Sequence, residues 1–220
     1  MATRRTYTSY NDGCAAAHAL DIVGERWALI IVRELILGPK RFGELRNGMV
    51  GASPPMLTQR LKELEDSGVV TRTHAHHGLI LYGLTRWGYE LGPVLQALGR
   101  WGAQSPSMPH GAHIGPETAV LSMRTMHDRD LLPATSVRLQ LVLGGVPISI
   151  DTTDAFDLQG GTGTDPEAVI TTEPVVWASI IFYGRSLDEA IETGDVTLEG
   201  ERGAVDRFLD LFPALGSNAA

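Results

Sequence analysis

The feature that most restricts the fold is one amphipathic helix pattern that starts on two prolines. Ser53 is typical of a helix N-cap, and prolines directly after it cost little, because amides in the first helical turn have no intrahelical partner. Leu57, Leu61 and Leu64 then recur at spacings of four and three, which predicts one buried stripe. Gly68 predicts the end of the helix. Pro55, Thr58, Gln59 and Lys62 must therefore point the other way.

Further patterns surround this helix on both sides. Residues 14–37 predict a helical stretch broken at Gly24, and residues 42–48 predict a short helix. Residues 69–73 and 79–84 predict two strands joined by a turn. A helix, a turn, a second helix with a polar outer face and then a hairpin is the winged helix-turn-helix arrangement.

This arrangement suits double-stranded DNA. The second helix fits the major groove, while the hairpin, or wing, reaches the backbone or the minor groove. Gln59 is suited to adenine, and Arg60 or Lys62 to guanine or phosphate. The predicted DNA-contacting residues are Arg41, Arg46, Ser53, Pro55, Thr58, Gln59, Arg60, Lys62, Arg72, His76 and His77.

Charge is divided unevenly along the 220 residues. Residues 1–110 contain 12 Lys and Arg against 9 Asp and Glu, a net charge of +3. Residues 111–220 contain 6 against 17, a net charge of −11, and the two halves together give the total of −8. The first half can therefore meet a polyanion, which the second half would repel.

The uneven charge and a change in composition predict two domains. A helix over residues 86–102, kinked at Pro93, closes the first domain, with Leu91, Val94, Leu95, Leu98 and Trp101 on one face. Residues 103–117 are rich in Gly, Pro and Ser and predict a linker. The predicted domains are residues 1–102 and residues 118–220.

The second domain has an α+β pattern. A helix is predicted over residues 118–130, and apolar residues alternate on both sides of Gly144 and Gly145, which predicts a two-glycine hairpin. Further strands are predicted near residues 155–158, 168–172 and 196–199, with two helices between the last two and one after them. Strands and helices in separate groups are typical of the α+β class.

The first domain resembles the HxlR family of bacterial transcription regulators, which are relatives of the MarR type. The resemblance rests on a cysteine followed by "ALDIVGERW", on "MLTQRLKELE" and on "PVLQALGRWG", and it covers roughly residues 14–102. It implies a homodimer that pairs through the first and last helices of this domain. It also implies binding to near-palindromic operators.

The second domain resembles sterol carrier protein type 2. The resemblance rests on "VRLQLVLGGVPISI", "DPEAVITT" and "GDVTLEG", and it implies a five-stranded sheet with helices over a cavity for lipids or other hydrophobic molecules. By their spacing, the residues that can face this interior line either a ligand pocket or a filled core. They are Val137, Leu139, Leu141, Ile148, Ile150, Trp177, Ile180 and Ile181.

The predicted fold class is thus α+β, a winged helix-turn-helix domain followed by a sterol-carrier-like α+β domain. The predicted function is a homodimeric, DNA-binding transcription regulator whose second domain senses a hydrophobic small molecule. The alternative is a carrier of lipids or hydrophobic ligands whose winged domain serves only dimerisation. No catalytic motif is present, so no enzyme activity and no cofactor are predicted. The absence of a signal peptide or an apolar span predicts a cytoplasmic protein without a membrane partner.

Two sites leave room for other chemistry. His74, His76 and His77 suggest a metal site, but neighbouring side chains at a hairpin tip point to opposite faces, so a wing tip near the DNA backbone is the better interpretation and no metal is predicted. Cys14, the single cysteine, is either a redox-sensing thiol, as in some HxlR relatives, or a buried residue packed like alanine. The buried interpretation is favoured.

Overall fold

The computed structural model describes residues 9–75, 78–108, 112–132 and 136–212. The chain divides into two compact units, Met1–Gly92 and Pro93–Ala220. The predicted domain boundaries lie further along the chain, on either side of the linker over residues 103–117, and they stay a prediction.

The first unit opens with four helices in the predicted order. They are α1 (Ala15–Val23), α2 (Ala28–Glu34), α3 (Phe42–Gly48) and α4 (Pro54–Asp66). The predicted break after Gly24 is confirmed, and it extends to Trp27, whose φ of 80° lies in the left-handed region. Leu57, Leu61 and Leu64 are buried, as the leucine spacing predicts. Because these three side chains bury one face of α4, its opposite face is left to solvent.

The wing follows α4 directly. Strands β1 (Val70–His74) and β2 (Ile80–Leu84) pair in antiparallel fashion. Lys40 adds a bridge that the sequence did not predict, since its backbone amide and carbonyl both bond to Tyr82 at 2.8 Å. The segment between α2 and α3 is thereby attached to β2, on the side away from β1.

The predicted single helix over residues 86–102 is wrong, because the structure has two helices. They are α5 (Arg86–Tyr89) and α6 (Leu91–Ala103). In a continuous helix the ring of Pro93 would clash with the carbonyl of Tyr89, four residues earlier, so the helix is interrupted at Glu90. Proline is instead accommodated in the first turn of α6.

The second unit contains a five-stranded mixed sheet and further helices, which confirms the predicted α+β class. Its elements are α7 (Pro116–Met126), β3 (Arg138–Leu143), β4 (Val146–Asp151), β5 (Asp157–Gly160), β6 (Ala168–Thr172), α8 (Pro174–Tyr183), α9 (Leu187–Glu192), β7 (Val196–Gly200) and α10 (Arg202–Leu209). The strand order is β5-β4-β3-β6-β7. Only β3 and β6 run parallel, and the other neighbours are antiparallel.

Helix α10 packs on β3 and β6, and α7 packs on α8. The predicted two-glycine hairpin is confirmed, since Gly144 and Gly145 join β3 to β4 and both have positive φ. Within the described ranges, no helix has the length and apolar character needed to cross a membrane.

Candidate nucleic-acid interface

The outward face of α4 carries four of the predicted DNA-contacting residues together. Pro55, Thr58, Gln59 and Lys62 are all exposed, on the side opposite the buried leucines. Ser53 is also exposed and occupies the N-cap position, with extended backbone at φ −76° and ψ 148°. A polar row on a helix that follows a tight turn is the geometry that major-groove recognition requires.

The polar side chains on this face make local bonds along the helix. The Thr58 hydroxyl donates to the Pro54 carbonyl at 2.9 Å, and Gln59 Nε2 donates to Glu63 Oε1 at 3.0 Å. Lys62 Nζ lies 3.0 Å from Asp66 Oδ1, and both side chains are more than half exposed. An ion pair this exposed contributes little to stability, so the ammonium can exchange its partner for a phosphate at small cost.

Three predicted arginines lie on the elements around α4. Arg41 and Arg46 are exposed, the first at the N-cap of α3 and the second in its last turn. Arg72 is exposed on β1, opposite Tyr82. His76 and His77, predicted at the wing tip, lie outside the described residues.

Arg60 is placed differently from the rest of the predicted set. Its side chain is only 14% exposed, and Nη2 lies 2.9 Å from Oε2 of Glu25, in the turn between α1 and α2. It also forms an ion pair with Glu63, one helical turn further along α4. The guanidinium is thus turned toward the protein and bridges two carboxylates, and a DNA contact by Arg60 stays a prediction.

A buried carboxylate that was not predicted as a site residue lies at the end of α2. Glu34 is 2% exposed at the end of α2, and its two oxygens meet Arg33 Nη2 at 2.8 Å and Lys40 Nζ at 3.2 Å. A Cβ on Gly48 would overlap this carboxylate, so the end of α3 packs directly on it. Since Lys40 also bridges to Tyr82, Glu34 connects α2, α3 and the wing. The helical spacing of Glu34 with apolar neighbours was the available signal for its burial.

Cys14 is exposed at the N-cap of α1, so its favoured interpretation as a buried residue is wrong. Hydrogen bonds from the backbone amides of Ala17 and Ala16 lower the pKa of the thiol. A redox response of Cys14 stays a prediction. Among the described residues, which include His74 but not His76 or His77, no three His, Cys, Asp or Glu side chains are grouped to hold a metal.

The predicted ligand-facing residues of the second unit are all buried. Their exposed fractions run from 0% for Leu141 and Ile148 to 8% for Ile180. Trp177 Nε1 donates to Met123 Sδ at 3.3 Å, and its ring stacks with Phe208 at a centroid distance of 6.5 Å. Met123 and Phe208 therefore pack against Trp177. A ligand pocket there stays a prediction.

Several known proteins are similar to part of this chain. Residues 22–108 match the family described as HxlR-like helix-turn-helix. Among solved structures, the reduced form of the transcriptional regulator YodB from B. subtilis is 33% identical, with a TM-score of 0.40, over 44% of this chain and 97% of that chain.

Two relatives come from Bacillus subtilis (strain 168). The uncharacterized HTH-type transcriptional regulator YybR is 33% identical over 104 residues, which are 46% of this chain and 83% of that protein. The uncharacterized HTH-type transcriptional regulator YdeP is 38% identical over 93 residues, 41% of this chain and 73% of that protein. Because these relatives are aligned over most of their own length, the chain belongs to the HxlR-like helix-turn-helix family.

Proposed function

We propose that this protein is a DNA-binding transcription regulator of the HxlR type that binds operator DNA as a homodimer. The observation that carries the proposal is the exposed row on α4 formed by Pro55 and the polar residues Thr58, Gln59 and Lys62. In the proposed complex α4 enters the major groove and Gln59 pairs with adenine. Regulation of transcription also requires the cytoplasmic location expected from the sequence.

The remaining candidate contacts act on the DNA backbone in this proposal. Arg41, Arg46 and Arg72 are exposed on α3 and the wing, where they can neutralise phosphates on either side of the groove. His76 and His77 would lie at the wing tip near the backbone and gain charge as pH falls. Contacts of this kind fix the position of the protein on the duplex and contribute affinity, while Gln59 determines which base is preferred.

An exposed apolar stripe on α6 supports the homodimer. Val94, Leu98 and Trp101 follow one another at spacings of four and three, and their exposed fractions are 45%, 45% and 77%. Leu20 on α1 is exposed as well, at 51%. A second copy would remove such surface from water, and a two-fold dimer would present two copies of α4 to a near-palindromic site.

Binding of the wild-type protein to the DNA upstream of its own coding sequence tests the proposal. We expect the upstream duplex to bind about 10³-fold or more tightly than a shuffled duplex of equal composition. With Arg41, Arg46, Lys62 and Arg72 of both protomers on phosphates, log affinity should fall against log salt with a slope of about −7. The measurement is fluorescence anisotropy between 50 and 200 mM salt, with both duplexes run in parallel.

Equal affinity for the two duplexes would refute sequence-specific binding and with it the proposed function. The predicted alternative, a carrier whose winged domain only dimerises, gives that result at every salt concentration. Steep salt dependence without discrimination would also contradict the proposal, because it indicates binding to phosphates alone.

We further propose that the second unit senses a hydrophobic small molecule and changes operator affinity. The support is its interior, where Leu139, Leu141, Ile148 and Ile150 on the sheet and Ile180 on α8 are all buried. Such a ligand alters DNA binding only through its different affinity for two states of the protein.

A dansyl-labelled long-chain fatty acid tests the sensor in the full chain. At saturation we expect it to change operator affinity about 5- to 150-fold. Ile180→Trp should remove the response by filling the interior, whereas Val175→Trp, on the exposed side of the same helix, should keep it. An operator affinity that does not change while the probe binds would refute sensing.

A further inference from the structure

We propose that Arg60, Glu25 and Glu63 together position the recognition helix, and that Arg60 does so without contacting DNA. The three side chains form what we name the Arg60 bridge, a polar connection from the α1–α2 turn to the base-reading face of α4. The inference rests on the proposed function, since it concerns how the helix that reads DNA is held.

The bridge begins with a long-range ion pair. Arg60 Nη2 donates to Glu25 Oε2 at 2.9 Å, across a separation of 35 residues in the chain. The Arg60 side chain is 14% exposed and that of Glu25 is 27% exposed, so both charges are largely out of water. Removing one member of a pair in this setting leaves the other charge uncompensated and largely out of water.

Glu63 continues the bridge to the residue predicted to read adenine. Its Oε2 accepts from Arg60, while its Oε1 accepts from Gln59 Nε2 at 3.0 Å. One carboxylate is thus shared between a largely buried guanidinium and an exposed amide. A change in the position of Arg60 would therefore alter the rotamer of Gln59 as well as the orientation of the helix.

The α1–α2 turn that anchors the bridge also meets the chain just before α4. Gly51 lies in the turn between α3 and α4, and a Cβ placed on it would be 3.9 Å from Cη2 of Trp27. Trp27 itself has a φ of 80°, and the guanidinium of Arg26 lies 5.1 Å from the centre of its ring. The α1–α2 turn thus lies close to the segment before α4 through Trp27. It reaches the second turn of α4 through Glu25.

The chemistry of the bridge favours arginine over lysine at position 60. A planar guanidinium presents several donors and can serve two carboxylates at once, whereas an ammonium is a single point of charge. A phosphate contact by Arg60 would require breaking both ion pairs and turning the side chain outward. Lys62, on the neighbouring exposed face, can reach phosphate without such a rearrangement.

One arginine substitution and one lysine substitution distinguish a positioning role of Arg60 from a contact of Arg60 with DNA. In Arg60→Met we expect affinity for the upstream duplex to fall about 3- to 30-fold. The affinity for the shuffled duplex and the salt slope should stay at wild-type values. In the matched variant Lys62→Met the salt slope should become shallower by about 1 for each protomer. Circular dichroism of each variant at the assay temperature establishes that it is folded.

Removing an acidic side chain gives a second test. If Arg60 positions the helix, the change in DNA affinity has the opposite sign from the change expected if Arg60 contacts DNA. Loss of a negative charge near DNA ordinarily strengthens binding, and we expect that small effect for the exposed Glu65→Ala on α4. Glu25→Ala should instead weaken binding to the upstream duplex. It should have no further effect in the Arg60→Met background, because the bridge is already broken.

The outcomes separate this inference from the proposed function. A wild-type protein that does not discriminate between the duplexes contradicts the proposed function and, with it, the role of the bridge. If the wild type discriminates but Arg60→Met flattens the salt slope, or Glu25→Ala strengthens binding, Arg60 contacts DNA. The bridge is then overturned while the proposed function stands.

Discussion

Gly88→Ala is expected to destabilise the first unit by about 3 kcal/mol. Gly88 is buried in α5, and a Cβ built on it would overlap the carbonyl oxygen of Val69 and lie 3.2 Å from the carbonyl carbon. The obstacle is backbone at the start of the wing, not a side chain that can rotate away. Relief of the overlap must therefore displace α5 from β1.

Hydrogen bonds around Gly88 make that displacement costly. Its amide donates to the Thr85 hydroxyl at 3.0 Å, and this hydroxyl donates to the Gly68 carbonyl at 2.7 Å. The Thr85 amide also donates to the Val69 carbonyl at 3.0 Å. Moving α5 breaks a cap that joins the end of α4, the wing and α5.

Thermal unfolding measures the effect. For a unit of this size a loss of about 3 kcal/mol corresponds to a fall in Tm of roughly 12–24 °C. Gly43→Ala is the matched control, because it lies in α3 with no atom within 4 Å of the added Cβ. Its Tm should stay the same or rise, because alanine adds up to about 1 kcal/mol to the free energy of unfolding. Equal Tm values for the two variants would refute the close packing of α5 on the wing.

Replacing both Gln59 and Lys62 with alanine should nearly abolish specific DNA binding without loss of stability. Both side chains are exposed, so their removal creates no cavity. A bidentate amide–adenine pair contributes about 1–3 kcal/mol for each half-site. Loss of Gln59 from both protomers should therefore lower the affinity for the upstream duplex about 30- to 10⁴-fold. The loss of Lys62 adds a smaller, salt-dependent reduction of DNA affinity.

Anisotropy with the upstream and shuffled duplexes measures this loss. Gln104→Ala, which removes an exposed glutamine next to α6, is the control and should bind as the wild type does. If the double variant keeps its preference for the upstream duplex, then α4 does not read the sequence.

Much of the first unit could be predicted because its elements are determined locally. The leucine spacing in α4, the proline start after Ser53 and the bounds of α3 all follow from periodicity and capping. The strands of the wing were predicted to within one residue. The five-stranded sheet of the second unit was implied by resemblance and by alternation around Gly144 and Gly145.

The features that were missed depend on partners distant in sequence. Glu63 lies three residues after Arg60, so that ion pair could be anticipated from helical spacing, but Glu25 is 35 residues away. The bridge of Lys40 to Tyr82 and the burial of Glu34 depend in the same way on how the elements pack. The leucine spacing predicts which residues face outward on α4, but it does not predict that the Arg60 guanidinium pairs with Glu25.

The central claim is that α4 reads DNA, and a change of base preference tests it most directly. Selection from randomised duplexes by the wild type and by Gln59→Lys compares the preferred bases at each position. If Gln59 pairs with adenine, lysine should change the preference to guanine at one position in each half-site and leave the other positions unchanged. Identical preferences for the two proteins would contradict recognition of DNA by α4.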